Sequence, residues 1–108
     1  MSESYVYAIS DGVNIKVGVA RHPEKRVKTL STGNANKLRL LGYFSGGFKV
    51  EKEIHRAHTK ARDNGEWLYA TIELVSYLNE MISDKHIVIE DGKVKAYLKI
   101  STSMPHNP

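Results

Sequence analysis

Glu51, His55, His58 and Arg62 follow one another at spacings of four, three and four. On a helix they therefore share one stripe, beside the apolar stripe of Ile54, Ala57 and Ala61. A carboxylate on such an edge can hold a divalent metal ion. A histidine one turn later can act as general base, phosphate donor or second ligand. The same spacing also describes a solvated face with an acid–base pair worth about a few tenths of a kcal/mol. The two histidines are three residues apart and no second pair follows, which argues against zinc. The chain has no cysteine, which excludes disulfides, Cys-based zinc sites and thiol nucleophiles.

A second group lies near the N-terminus. Tyr7 and Lys16 fall on the same face of a predicted hairpin, where a phenol and an ammonium can orient water and stabilise phosphate charge. A cross-strand pair on a sheet surface is the plainer reading. Tyr5 has the same parity as Tyr7, so one of the two can serve packing alone. Arg26 sits on a predicted helix, on a different face from Val27 and Leu30. Thr32-Gly33-Asn34-Ala35-Asn36 can offer amides and backbone N–H groups to a phosphate or a base edge. On the last predicted strand Lys93, Lys95, Tyr97 and Lys99 alternate with Val94, Ala96, Leu98 and Ile100. That row can track a nucleic-acid backbone, or it can protect an edge strand from aggregation. Trp67 is read as a core anchor at a helix end, with Glu66 satisfying a nearby donor.

These residues need a scaffold. Residues 4–9 and 13–19 read as strands joined at Asp11-Gly12, with Val13, Ile15, Val17 and Val19 on one face. Pro23 opens a short helix running to about Leu30. Leu38 to Phe44 reads as a third strand, stopped by Gly46-Gly47. A long helix is expected from about Phe48 to Asn64, capped by Gly65. Glu66 to Tyr69 is short and extended. Residues 71–83 form a further helix with Ile72, Val75, Leu78 and Ile82 on its stripe. His86 to Ile100 makes a second hairpin around Asp91-Gly92. The fold class is α+β, in one domain of two parts: a core over 1–69 and a helix-plus-hairpin extension over 70–108.

Length and charge agree with this. The 108 residues suit one modest core. No apolar run reaches the roughly 18 residues of a membrane helix, and no signal-peptide pattern opens the chain. Net charge is +4, and it is uneven. Residues 1–66 carry 12 Lys or Arg against 7 Asp or Glu, and residues 67–108 carry 4 against 5. An anion site belongs in the first two-thirds.

Taken in order, these features resemble the GIY-YIG nuclease superfamily, in particular its compact phage-type branch. Tyr5-Val6-Tyr7 corresponds to the GIY half and Lys16-Val17-Gly18 to the YIG half. Pro23-Glu24-Lys25-Arg26 matches the Pro-x-x-Arg helix start, followed by Leu30-Ser31-Thr32-Gly33-Asn34. Glu51 with His55 one turn later matches the Glu helix, and Gly65-Glu66-Trp67 matches the branch's Gly-Glu-Trp signature. The resemblance covers roughly residues 4–69 and implies a small three-stranded antiparallel sheet flanked by helices. It implies metal-dependent hydrolysis of a DNA phosphodiester in a bacterial or phage-infected cytoplasm. Tyr7 would activate or position the attacking water, Arg26 would hold the scissile phosphate, and Glu51 would be the single carboxylate on a Mg²⁺ or Mn²⁺ ion. Arg21, Lys28, Asn34, Lys37 and Arg62 would supply salt-dependent DNA affinity.

The chain departs from the pattern at three places. Lys16 replaces the YIG tyrosine, Tyr5 the first glycine, and Leu30 a His or Tyr one turn after the arginine. Lys16 can contact the phosphate or favour the ionised phenol, and His55 can carry protons in place of the missing groups. Two alternatives stay open. One is a binding module for nucleic acid or protein on the same fold, without turnover. The other is an interaction protein that uses its C-terminal hairpin.

Overall fold

The computed structural model describes residues 3–32, 37–58 and 67–99. The predicted N-terminal hairpin is formed by β1 (Tyr5–Ser10) and β2 (Asn14–Ala20). Side-chain chemistry closes its turn. Asp11 Oδ1 accepts the N–H groups of Val13 and Asn14 at 3.0 and 2.9 Å, and Gly12 takes φ 107°. Ser10 is buried, yet its hydroxyl donates to Asn14 O at 2.8 Å and accepts from Gly12 N at 2.9 Å, so neither function is orphaned.

β3 (Arg39–Ser45) pairs with the free side of β1. β4 (Trp67–Tyr69) pairs with Asn14, Ile15 and Lys16 of β2. The sheet is antiparallel throughout, in the order β3-β1-β2-β4. The fourth strand goes beyond the three that the resemblance implied. It forms from the stretch read as short and extended, because Leu68 supplies a fully buried side chain opposite Ile15.

Each face of the sheet has its own core. α1 (Pro23–Thr32) covers one face, where Tyr7, Ile9, Val27 and Leu38 cluster with Leu30, Leu40, Tyr43 and Trp67. The other face carries Val6, Ala8, Ile15, Val17 and Leu41. It packs against Ile54 of α2 (Phe48–Ala57) and against Leu74 and Leu78 of α3 (Ile72–Met81). Ile87 and Val94 join this second core from the hairpin of β5 (Lys85–Glu90) and β6 (Lys93–Leu98). The period-2 alternation of β1 serves both faces at once. A register shift in the β1–β3 pairing makes Leu41 an extra residue between Leu40 and Gly42. Gly42 lies under Ile82, and a Cβ there would stand 2.6 Å from the Ile82 Cγ2.

The C-terminal hairpin is docked, not appended. Its two-residue turn uses Asp91 (φ 53°) and Gly92 (φ 75°), as a type I′ turn requires. Val94 N donates to Gly12 O at 2.9 Å. Asn79 of α3 brackets the buried Ile87: its Nδ2 donates to Ile87 O at 2.9 Å and its Oδ1 accepts from Ile87 N at 2.7 Å.

Some expectations need correction. Leu74, not Ile72, completes the α3 stripe, and Ile72 is 82% exposed. The cause is the cap: Thr71 accepts from Leu74 N at 3.1 Å, so the helix starts at Ile72 and its first side chain points outward. The described part of the long helix ends at Ala57, with His58 as its C-cap. Ala57 is exposed, so Ile54 alone is fully buried there. The expected continuation to Asn64 and the Gly65 cap lie outside the described residues, as do Ala61 and Glu66. Val13 belongs to the turn and is exposed, and Leu98 at the far end of β6 is exposed too. Among the described residues no helix is long and apolar enough to cross a membrane.

Candidate active site

The β1–β2 register sets the site. Tyr7 lies directly opposite Gly18, and Ile9 opposite Lys16. Direct partners in an antiparallel pair share a face, so Tyr7, Ile9, Lys16 and Gly18 all look toward α1. Trp67 is the partner of Lys16 on the other side and joins the same face. It is a half-buried strand residue that packs against this face's core, as its reading as a core anchor expected.

Tyr7 and Gly18 fit together tightly. A Cβ on residue 18 would stand 2.5 Å from the Tyr7 hydroxyl oxygen and 2.6 Å from Cζ. The ring of Tyr7 therefore lies in the space a side chain would fill. Tyr7 is 3% exposed. Among the described residues its hydroxyl has no hydrogen-bond partner. A buried hydroxyl without a partner costs about 1–3 kcal/mol, so its retention calls for an explanation. Gly18→Ala should push the ring out of this position. We expect a loss of about 1–3 kcal/mol in a denaturant titration. Most of that loss should vanish in the Tyr7→Ala background, because the two residues share the same space.

The neighbouring tyrosines contrast with Tyr7. Tyr43 sits opposite Tyr7 on β3 and donates to Glu24 Oε2 of α1 at 3.3 Å. The Glu24 carboxylate raises the Tyr43 pKa, with desolvation adding to it, so Tyr43 stays a neutral donor tying α1 to the sheet. Tyr5 donates to Glu3 at 3.0 Å and meets the Tyr43 ring edge-on at 5.2 Å. Tyr5 thus takes the packing role that its parity allowed.

Arg26 is exposed on α1, the helix that covers the Tyr7 face, and its N–H closes the first turn on His22 O at 3.0 Å. Lys28 is exposed on the same helix, and Arg21 on the bend before it. α2 is anchored on the opposite face by Ile54, but one residue later it reaches the sheet backbone. The His55 Nε2 lies 3.3 Å from the Val17 carbonyl oxygen. That oxygen can only accept, so Nε2 carries the proton in this contact. Glu51, one turn earlier, is half-buried. Its carboxylate has no ion-pair or hydrogen-bond partner among the described residues. His58 is half-buried at the helix end, 6.2 Å from the Tyr77 ring. No hydrogen bond or ion pair among the described residues joins Tyr7, Arg26 and Glu51 to one another. Lys37 stands apart, on a groove with β6. Asn34 and Arg62 lie outside the described residues.

No group of three or more His, Cys, Asp or Glu side chains able to hold a metal occurs among the described residues. A hard cation that keeps most of its waters needs less: one carboxylate and the oxygens of a phosphate. Glu51, whose carboxylate has no partner among the described residues, fits that requirement.

Gly18 is the glycine of the YIG-like half, and the structure gives it a role that the motif alone does not: it leaves room for the Tyr7 ring. The signal for that role is present in the sequence, as a lone glycine inside an alternating strand, which marks a close approach by another group.

A family model, that of the T5orf172 domain, matches residues 4–83. This is 80 of the 108 residues, from the start of β1 to just past α3. The domain is nuclease-associated. Comparison with curated proteins and with solved structures gives no match.

Proposed function

This chain belongs to the T5orf172 domain family, and from that premise we propose that it is a metal-dependent DNA endonuclease or nickase of the GIY-YIG type. The observation that carries the reading is the Tyr7 hydroxyl, buried, held in place over Gly18 and without a partner among the described residues. The half-buried Tyr43 on the next strand spends its hydroxyl on Glu24. A catalytic tyrosine keeps its hydroxyl for water or substrate.

The roles follow from the chemistry of each group. The Tyr7 oxygen accepts a hydrogen bond from the attacking water and orients it toward phosphorus. Lys16, on the same face, contributes positive charge near the phosphate. Arg26 donates to the non-bridging phosphate oxygens, where charge grows in the transition state. Glu51 would hold the Mg²⁺ or Mn²⁺ ion. When bound, such an ion polarises the phosphate and stabilises the leaving oxygen. His55, held against β2 by its Nε2 contact with the Val17 carbonyl, would be the further proton carrier. Water's oxygen forms the new bond to phosphorus, one sugar–phosphate oxygen bond breaks, and the leaving oxygen takes up a proton.

Incubation of supercoiled plasmid with the protein tests this directly. Open circles should form with Mg²⁺ or Mn²⁺ and stop forming when a chelator is added. If no nick forms with either ion on duplex, single-stranded or branched DNA, the enzyme reading is wrong.

A further inference from the structure

A second surface is built where the C-terminal hairpin meets the sheet. A groove of about 600 Å³ runs between the leading end of β3 and the outer face of β6. Lys37 and Arg39 line one wall, and Lys93, Lys95 and Tyr97 line the other. Asp11 is the acidic residue in this lining, and its carboxylate already accepts the Val13 and Asn14 N–H groups. None of Tyr7, Arg26 and Glu51 borders the groove.

We propose that this groove grips the phosphodiester backbone of DNA outside the catalytic site. The identity of the polyanion rests on the nuclease reading, but the groove's own chemistry carries the rest. Like charges on facing walls repel, and lysines that only guard an edge strand need no basic wall opposite. Of the four cations, Lys95 is ion-paired, with Glu90 at 3.5 Å. Among the described residues, no ion pair or hydrogen bond occupies the side chains of Lys37, Arg39 or Lys93.

The walls are also fixed in place. Val94 is buried, and its N–H donates to Gly12 O at 2.9 Å, so β6 cannot swing away from the first hairpin. Lys93, Lys95 and Tyr97 alternate along one face at about 6.8 Å per pair of residues, comparable to the spacing of successive phosphates on a strand. The Tyr97 hydroxyl donates to Glu90 Oε1 at 2.8 Å, which holds a half-exposed ring at the end of the row. A ring so placed can meet a sugar or a base face.

The test is duplex-oligonucleotide binding by fluorescence anisotropy across a salt series, with chelator present so that no cleavage occurs. Two variants are compared with wild type. One neutralises the groove (Lys37→Gln, Arg39→Gln, Lys93→Gln, Lys95→Gln), and the other keeps its charge (Lys37→Arg, Lys93→Arg, Lys95→Arg). The neutral variant should lose about 2–4 from the slope of log K against log salt and bind at least about tenfold more weakly at physiological salt. The charge-keeping variant should bind as wild type does, and both should melt with the wild-type protein. Unchanged slope and affinity in the neutral variant would overturn the proposal, as would equal weakening of both variants or no DNA binding by wild type. The outcome separates from the nuclease reading. Binding that depends on the groove without any nicking leaves the groove standing, and nicking with groove-independent binding removes it.

Discussion

Tyr7→Phe should slow single-turnover nicking of pre-bound DNA by about 10²–10⁴, the range that general acid–base groups supply, while leaving the fold at least as stable as wild type. Both halves follow from the same atom. Phenylalanine keeps the ring that lies over Gly18 and packs with Ile9, Val27 and Leu38. It removes only the hydroxyl, which has no partner among the described residues. That oxygen gains no protein partner on folding among the described residues, so its removal should not lower stability. A tyrosine serving structure alone would behave in the opposite way: its loss would cost about 1 kcal/mol and leave turnover untouched. Urea midpoints and nicking rates on the same preparation decide between the two.

Glu51→Gln should be comparably severe for turnover and neutral for stability. The amide has nearly the same shape but no charge, and a hard divalent ion selects charged oxygen. Loss of several kcal/mol of transition-state stabilisation corresponds to about 10²–10⁴ in rate. Residual activity should still rise at metal concentrations that saturate wild type, because the variant's defect begins with binding the ion. The melting transition should move by no more than about 0.5 kcal/mol, since the carboxylate is tied to nothing among the described residues. A variant that nicks at the wild-type rate would remove Glu51 from the site.

Much of the scaffold was legible in the sequence for local reasons. Asp11-Gly12 and Asp91-Gly92 announce their hairpins because few residue pairs adopt the backbone those turns need. Clean alternation placed Ile15 and Val17 in the core, and Lys93 and Lys95 opposite Val94. Errors arose where an element's end decides exposure. Ile72 fits the helical period as well as Leu74 does, and only the Thr71 cap shows which of them turns inward. The fourth strand was unreadable from three residues alone, because its pairing with β2 is a long-range event.

The candidate site divides in the same way. The types and order of Tyr7, Lys16, Arg26, Glu51 and His55 could be read along the chain. The seat of Tyr7 against Gly18 needed the register, and the tether of His55 to Val17 needed the packing of α2. The unspent Tyr7 hydroxyl is invisible in sequence, where nothing distinguishes it from the Tyr43 hydroxyl that binds Glu24. The groove combines both cases. Its lysine row is periodic and legible, but the facing Lys37 and Arg39 arrive from residues more than 50 positions away.

The central claim is that water, oriented by Tyr7, attacks the phosphate. The most direct test is a single-turnover nicking reaction in ¹⁸O-labelled water with Mg²⁺ or Mn²⁺. The phosphate at the nick should carry one ¹⁸O atom, and no DNA should remain attached to the protein after denaturation. DNA covalently linked to Tyr7, or a nick whose phosphate carries no label, would contradict it, because the phenol itself would then be the nucleophile.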